Sequence, residues 1–126
     1  MEKELRYELL QATPELENQI YPTNAPEGVL KPYLVYARIS TRRSKTLEGH
    51  LKNQAISYMF SVMCGRYSEM VDLRNKVEQL LLSLPKKHIG IDGSVLVQDL
   101  TINNIDEQYE HELEVNRGII DFTIYT

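Results

Sequence analysis

The sequence predicts a single α+β domain spanning residues 1–126, with one mostly antiparallel β-sheet formed by two hairpins. One long helix would pack on a face of the sheet, and a short helix would lie at the N-terminus. Two observations predict this class: strand-like stretches occur in two pairs, and a long amphipathic stretch separates the pairs. Strands grouped in this way, with helices set apart, are typical of α+β proteins. With 126 residues, 42% of them hydrophobic, the chain is long enough to build one core.

The N-terminal helix is predicted over residues 2–12, where apolar side chains recur at helical spacing: Leu5, Leu9 and Ala12. Thr13 and Pro14 resemble a helix N-cap followed by proline at the first helical position, so a short turn is expected to about Asn18. Residues 21–32 contain three prolines and one glycine, which predicts an irregular loop.

The first pair of strands is predicted at residues 33–41 and 53–64. The first strand carries β-branched and aromatic residues and has Tyr33, Val35, Ala37 and Ile39 on one face. Both faces of the second strand are apolar or small, which predicts a central strand covered on both sides or by a partner. The polar segment between them, residues 42–51, is predicted to be the long flexible tip of a hairpin.

The long helix is predicted to be capped by Ser68 and ended by Pro85. Its apolar stripe consists of Met70, Leu73, Val77, Leu80, Leu81 and Leu84. We expect this stripe to pack on the sheet face that carries Ile56, Tyr58, Phe60 and Val62, or on the alternate face. Two further strands are predicted at residues 94–104 and 113–125, joined by the acidic stretch 105–112.

Composition excludes several classes of protein. No apolar run approaches the ~18 residues that a membrane span needs. The charged N-terminus lacks a signal-peptide core, so we expect the protein to stay in the compartment where it is made. Cys64 is the one cysteine, which excludes an intrachain disulfide and a cysteine-based metal site, and it is predicted to be an inert buried thiol.

The sequence predicts no catalytic, cofactor-binding or metal-binding residues. His50, His88 and His111 lack metal-ligand spacing on a predicted helix. Glu110-His111-Glu112 could chelate a cation, but neighbouring residues on a strand point to opposite faces, which favours a solvated hairpin end. Residues 90–93 contain two glycines without the third glycine and the helix of a dinucleotide site, so a turn or bulge is expected.

Charge is unevenly distributed along the chain. The net charge of −4 argues against a dedicated nucleic-acid binder. Residues 38–52 nevertheless hold five basic residues and one acid, whereas residues 88–126 hold eight acids and one arginine. Residues 40–52 contain no aromatic side chain for base stacking, so contact with an acidic protein surface is favoured over nucleic acid, and a solvated tip is the alternative. The predicted protein-interface residues are Arg42, Arg43, Lys45, Leu47, Glu48, His50, Asp106, Glu107, Glu110 and Glu112.

The order of several short motifs resembles a known family. The motifs are Ile-Tyr-Pro at 20–22, Lys-Pro-Tyr-Leu-Val-Tyr-Ala-Arg-Ile at 31–39, Tyr-Met-Phe-Ser-Val at 58–62, Tyr-Ser-Glu-Met at 67–70 and Ile-Asp-Phe-Thr-Ile-Tyr at 120–125. In order, spacing and total length the chain is similar to the tail completion proteins of long-tailed bacteriophages, also called tail terminator or tail-to-head joining proteins. The long acidic connection before the last strand departs from the family pattern.

The resemblance implies a late structural protein of the virion rather than an enzyme. Such proteins form a ring, typically of six subunits, at the head-proximal end of the tail tube. The ring stops tube growth and presents a surface to the stopper protein of the head connector. DNA would be only passing cargo, no membrane would be involved, and the protein would be made in the bacterial host cytoplasm. The basic tip and the acidic connection would be complementary patches for a head-to-tail ring contact.

Three alternatives stay open at this point. The chain could be another phage neck or minor tail component, such as a connector stopper. It could be a small non-enzymatic adaptor domain of a cellular complex. It could also be a small intracellular enzyme with a site assembled across a dimer interface. This hypothesis predicts a deep pocket with converging polar groups.

Overall fold

The structure, a computed structural model, describes residues 1–25, 31–46, 49–112 and 114–126, and it describes their side chains except for 44–46 and 49–52. The helices within these ranges are α1 (Glu2–Ala12), a 3-10 helix (Pro14–Leu16) and α2 (Tyr67–Ser83). The strands are β1 (Ile20–Pro22), β2 (Tyr33–Thr46), β3 (Gly49–Cys64), β4 (His88–Ile89), β5 (Val95–Leu96), β6 (Asp99–Glu110) and β7 (Val115–Tyr125).

The main sheet has five strands in the order β1-β2-β3-β7-β6. The β1–β2 pair is parallel, and the β2–β3, β3–β7 and β6–β7 pairs are antiparallel. The predicted α+β class with a mostly antiparallel sheet is therefore confirmed. The expectation of a single sheet is wrong, because β4 and β5 form a second sheet around a turn in which Gly90 and Gly93 have positive φ angles.

Helix α1 has the predicted bounds and buries Leu5 and Leu9. Thr13 holds the predicted N-cap position of the 3-10 helix but makes no side-chain capping bond, because its hydroxyl donates to the Leu9 carbonyl at 2.6 Å and its own amide donates to the same oxygen at 2.8 Å. Thr13 thus closes the helix behind it, and Pro14 opens the 3-10 helix. Strand β1 begins at Ile20, which is buried in the core. Its other two residues, Tyr21 and Pro22, fall in the segment predicted to be irregular.

Helix α2 begins one residue before Ser68, so the predicted capping role of this serine is wrong. The N-cap position is Arg66, and its side chain makes no capping bond. Five residues of the predicted stripe are buried: Met70, Leu73, Val77, Leu81 and Leu84. Leu80 is only half-buried, because it lies on the flank of the stripe that Val77 and Leu81 define. The helix ends at Ser83, two residues before Pro85.

The core lies between the two helices and one face of the sheet. Its aromatic centre comprises Tyr58, Phe60 and Phe122, with ring centroids 4.8 Å apart for Phe60–Phe122 and 5.7 Å apart for Tyr58–Phe122. The helix stripe therefore packs on the face that carries Ile56, Tyr58, Phe60 and Val62, the first of the two faces expected from the sequence. No helix in the described ranges has the length and hydropathy to cross a bilayer.

Gly118 sets how closely α2 approaches the sheet. A Cβ atom at this position of β7 would lie 2.7 Å from Met70 Sδ and 2.9 Å from Val62 Cγ2. Both distances are shorter than carbon and sulfur atoms tolerate, so the missing side chain makes room for Met70. The close packing of α2 on β7 thus depends on this glycine.

Candidate protein-interaction surfaces

The basic segment predicted as a flexible hairpin tip is instead mostly paired strand. Lys45 pairs with His50 and Thr46 pairs with Gly49, which leaves only positions 47 and 48 between the strands. The ribbon tolerates polar residues because its backbone hydrogen bonds do not depend on which side chains face water. Two predicted interface residues, Leu47 and Glu48, lie outside the described residues, and so do the side chains of Lys45 and His50.

The ribbon extends past the end of the five-stranded sheet. The last β3–β7 pair is Ala55 with Tyr125, and the backbones of Gln54 and Thr126 exchange two hydrogen bonds of 3.0 Å. Strand β1 covers only positions 34–36 on the other side of β2. We call residues 42–46 and 49–54 the basic arm. A two-stranded ribbon of this kind has little core of its own and gains stability from whatever covers it.

The two arginines at the base of the arm face opposite sides of the sheet. Arg42 pairs with Ala55 and shares the face that points away from the helices, whereas Arg43 pairs with Gln54. Both side chains are exposed and form no ion pair with a described residue. They are therefore available for a partner.

Arg38, the next basic residue toward the core, is already engaged. Its guanidinium lies 2.9 Å from the Glu2 carboxylate and donates to the Tyr58 hydroxyl at 3.4 Å. The hydrogen bond from Arg38 lowers the pKa of Tyr58, but burial outweighs it and raises that pKa to about 12. Arg38 thus ties α1 to the sheet and is not a free contact residue.

The acidic residues predicted in a connection lie mostly on strand β6. This strand continues to Glu110, so Asp106, Glu107 and Glu110 are strand residues, and Glu112 lies in the turn that follows the strand. Asp106 and Glu110 pair with Ile119 and Val115 on the face away from the helices. Glu107 pairs with Gly118 on the helix side. The single acidic patch expected from the sequence is therefore divided between two faces.

Two of these acids have partners within the chain. Glu107 accepts hydrogen bonds from Arg74 at 3.1 Å and from the Tyr67 hydroxyl at 2.8 Å, and this bond raises the pKa of Tyr67. Glu110 lies 3.0 Å from the Arg117 guanidinium. Asp106 and Glu112 are exposed, and Asp106 Oδ1 accepts from the backbone amide of Glu107 at 2.8 Å. Asp106 and Glu112 are therefore the acids of the predicted set most open to another protein.

A cleft of about 220 Å³ lies on the face of the sheet that carries the helices, and it was not predicted from the sequence. Its walls include Tyr67 and Tyr109, which are 55% and 50% exposed, together with Met70 and Glu107. Exposed tyrosines are frequent at protein interfaces, because a rigid apolar ring carries a polar tip. Tyr109 lies 42 positions after Tyr67 in the sequence, and the two rings meet only because α2 packs on β7 and β7 pairs with β6.

The buried cysteine and the scattered histidines and acids form no metal site in the described residues. Cys64 is fully buried, and burial is the main cause that raises the pKa of its thiol to about 12, so it is a poor nucleophile. Within the described part of the chain, no three His, Cys, Asp or Glu side chains come together as metal ligands. This includes Glu110, His111 and Glu112, which do not come together with a further ligand.

Comparison with known proteins gives one family and one fold. The family model described as Tail completion protein gp17 matches residues 7–126. A chain from the solved structure titled "Virion of native gene transfer agent (GTA) particle" superposes with a TM-score of 0.70 at 12% identity, covering 95% of this chain and 90% of that chain. At this identity the likeness concerns the fold alone. No curated protein sequence matches.

Proposed function

The chain belongs to the family described as Tail completion protein gp17, and from this membership we propose that it is a structural protein that completes a phage tail. It caps the head-proximal end of the tail tube, stops polymerisation of the tube and forms the surface on which the stopper of the head connector docks. The observation that carries the proposal is the family match, which covers all but the first six residues.

The cap is proposed to be a ring of six copies. A ring needs a head-to-tail contact between two different surfaces of the same chain. The basic arm, formed by β2 and β3, projects past one end of the sheet, and β6 carries four acids and no basic residue at one edge. Because β7 lies between β3 and β6, the two charged regions are at different places on the chain's surface, and this arrangement supports a repeating contact.

Arg42, Arg43 and Lys45 are proposed to contact the neighbouring copy or the tube, with Leu47, Glu48 and His50 beside them. Asp106, Glu107, Glu110 and Glu112 are proposed to lie in the receiving surface. Each exposed ion pair contributes only ~0–1 kcal/mol on its own. A closed ring repeats the pair at every interface, so weak contacts sum over the ring.

The experiment is a complementation assay in a phage mutant that lacks this protein. Arg42, Arg43 and Lys45 are replaced together by Glu. We expect normal folding by circular dichroism, a loss of infectious particles, and unjoined heads beside tail tubes longer than the normal length in electron micrographs of lysates. The control replaces Arg66, Lys86 and Lys87 by Glu, which makes the same change in charge at exposed positions outside the arm.

Different outcomes contradict different parts of the proposal. If the phage mutant itself makes joined particles without this protein, the chain is not a tail completion protein. Unjoined tails of normal length would contradict the role in stopping polymerisation. Wild-type complementation by the arm variant would mean that the arm is a solvated tip and that the ring contact lies elsewhere.

A further inference from the structure

One face of the main sheet has no described helix or strand over it. Both helices pack on the opposite face, so Ala37 and Met59 are partly exposed on this surface, whereas Ile119 is buried by its neighbours. Among the described residues, a small cluster around Tyr33 and Met63 covers one corner. We call this surface the open face. Its middle is mixed: Ala37 and Met59 are apolar, whereas the hydroxyls of Ser57 and Thr123 hydrogen-bond each other at 2.9 Å.

Asp121 lies in the middle of the open face with an unsatisfied oxygen. It pairs with Met59 on β3 and with Asn104 on β6. Its Oδ1 atom is buried and has no hydrogen-bond partner among the described residues. Buried carboxylate oxygens are nearly always paired, because leaving one unpaired costs its full desolvation energy. No described residue of the same chain therefore donates to this oxygen.

The charge around Asp121 is negative. Asp106 and Asp99 lie on the same face, opposite Ile119 and Tyr125 respectively. Apart from Arg42, the described basic side chain on this face is Arg117, which is already bound to Glu110 and to the Ser61 hydroxyl, both at 3.0 Å. A cationic donor from outside would meet attraction and no competing positive charge beside Asp121.

Arg42 cannot reach Asp121 within one chain. Asp121 lies in the cross-strand row of Ala37 and Met59, and Arg42 lies in the row of Ala55. The two positions are separated by two strand spacings of ~4.8 Å and by about four residues of ~3.3 Å, which places them more than ~15 Å apart. Arg42 can therefore contact an Asp121 carboxylate only on another copy.

We propose that the open face is the surface on which the basic arm of a neighbouring copy docks, with Arg42 of that copy donating to the Asp121 carboxylate. The proposal rests on the ring assembly described above and identifies the receiving surface for the arm. The arm of one copy gains the cover that its own chain does not give it, and Ala37 and Met59 of the open face lose contact with water. Because Arg42 and Asp121 are far apart within one chain, a copy can give its arm to one neighbour and receive the arm of another, and the contact can then repeat head-to-tail.

The test uses disulfide cross-linking in assembled tails. Arg42→Cys and Asp121→Cys are combined in one chain, which is incorporated into tails and oxidised. The native thiol, Cys64, is buried and gives little background, and the distance within one chain is too long for an intrachain disulfide. We expect a ladder of cross-linked copies on non-reducing gels. The control combines Arg42→Cys with Leu82→Cys, which places the second thiol at a position on α2 that is 52% exposed.

The outcomes separate this proposal from the proposed function. A ladder in the first variant but not in the control supports the contact. A dimer formed by Asp121→Cys alone would mean that two open faces meet around a two-fold axis, and it would overturn docking of the arm. Particles that are infectious but give no ladder would overturn the contact and leave the tail completion function intact.

A charge exchange covers the case in which the cysteine variants do not enter tails. Asp121→Arg and Arg42→Asp are each expected to lower complementation by about tenfold or more, and the two together in one chain are expected to restore most of it, because the attraction is re-formed with reversed signs. A double variant no better than the weaker single variant would overturn the proposal.

Discussion

Gly118 shows how one residue fixes the spacing between a helix and the sheet. Because a Cβ atom would meet Met70 Sδ at 2.7 Å and Val62 Cγ2 at 2.9 Å, Gly118→Ala is expected to lower the free energy of unfolding by about 1–3 kcal/mol. Gly65→Ala is the matched control, since its nearest neighbour would be Lys31 Cδ at 3.9 Å, an ordinary contact. Chemical denaturation measures both variants. Equal stability of the two would mean that α2 does not lie this close to β7.

At the scale of an element, α2 is stabilised by its buried stripe rather than by capping. Leu81 is fully buried and Leu82 is 52% exposed, so two adjacent leucines of one helix provide a matched pair. Leu81→Ala is expected to cost on the order of 2–5 kcal/mol of unfolding free energy, whereas Leu82→Ala should change it by less than about 0.5 kcal/mol. Urea denaturation distinguishes them. A larger loss for Leu82→Ala would mean that the helix is rotated about its axis.

At the scale of the whole molecule, the isolated chain is expected to be mostly monomeric at micromolar concentration. The exposed charges of the arm and of β6 form weak individual contacts, and association also costs the translational and rotational freedom of each copy. A tube end that holds several copies side by side removes part of this cost, because the contacts then form at high effective concentration. Sedimentation velocity measures the distribution of species. A stable ring in the absence of tubes would contradict assembly that depends on the tube end.

Sequence periodicity predicted the elements whose side-chain pattern is set locally. The stripe of α2 and the alternation of β3 have helical and strand periods along the chain, so the core residues could be named without the fold. Leu80 was misplaced because it sits on the flank of the stripe, where neighbouring elements decide burial. Strand β1 was not predicted, because a strand of three residues that ends in a proline is too short to show an alternation of apolar and polar side chains.

The candidate interface residues were identified by their charge, whereas the face of the sheet to which each side chain points could not be predicted. The arm was predicted to be a loop, and its strand pairing was not predicted. Polar side chains give no apolar–polar alternation to detect, even where the backbone hydrogen bonds continue. The pairing of Glu107 with Arg74 and Tyr67 links residues 33 and 40 positions apart, and only the packing of α2 brings them together.

The class of the fold, the apolar core, the separation of basic and acidic regions and the family resemblance all follow from residue type and order. The face that each charge occupies depends on how the strands pair in the folded chain. A bulge between Arg38 and Ser40 shifts the alternation of β2 by one residue, so that Arg42, rather than Arg43, shares a face with Ala37. A second bulge between Ile102 and Asn104 does the same for the acids of β6. A bulge exists only relative to a partner strand, and strand pairing is a property of the folded chain.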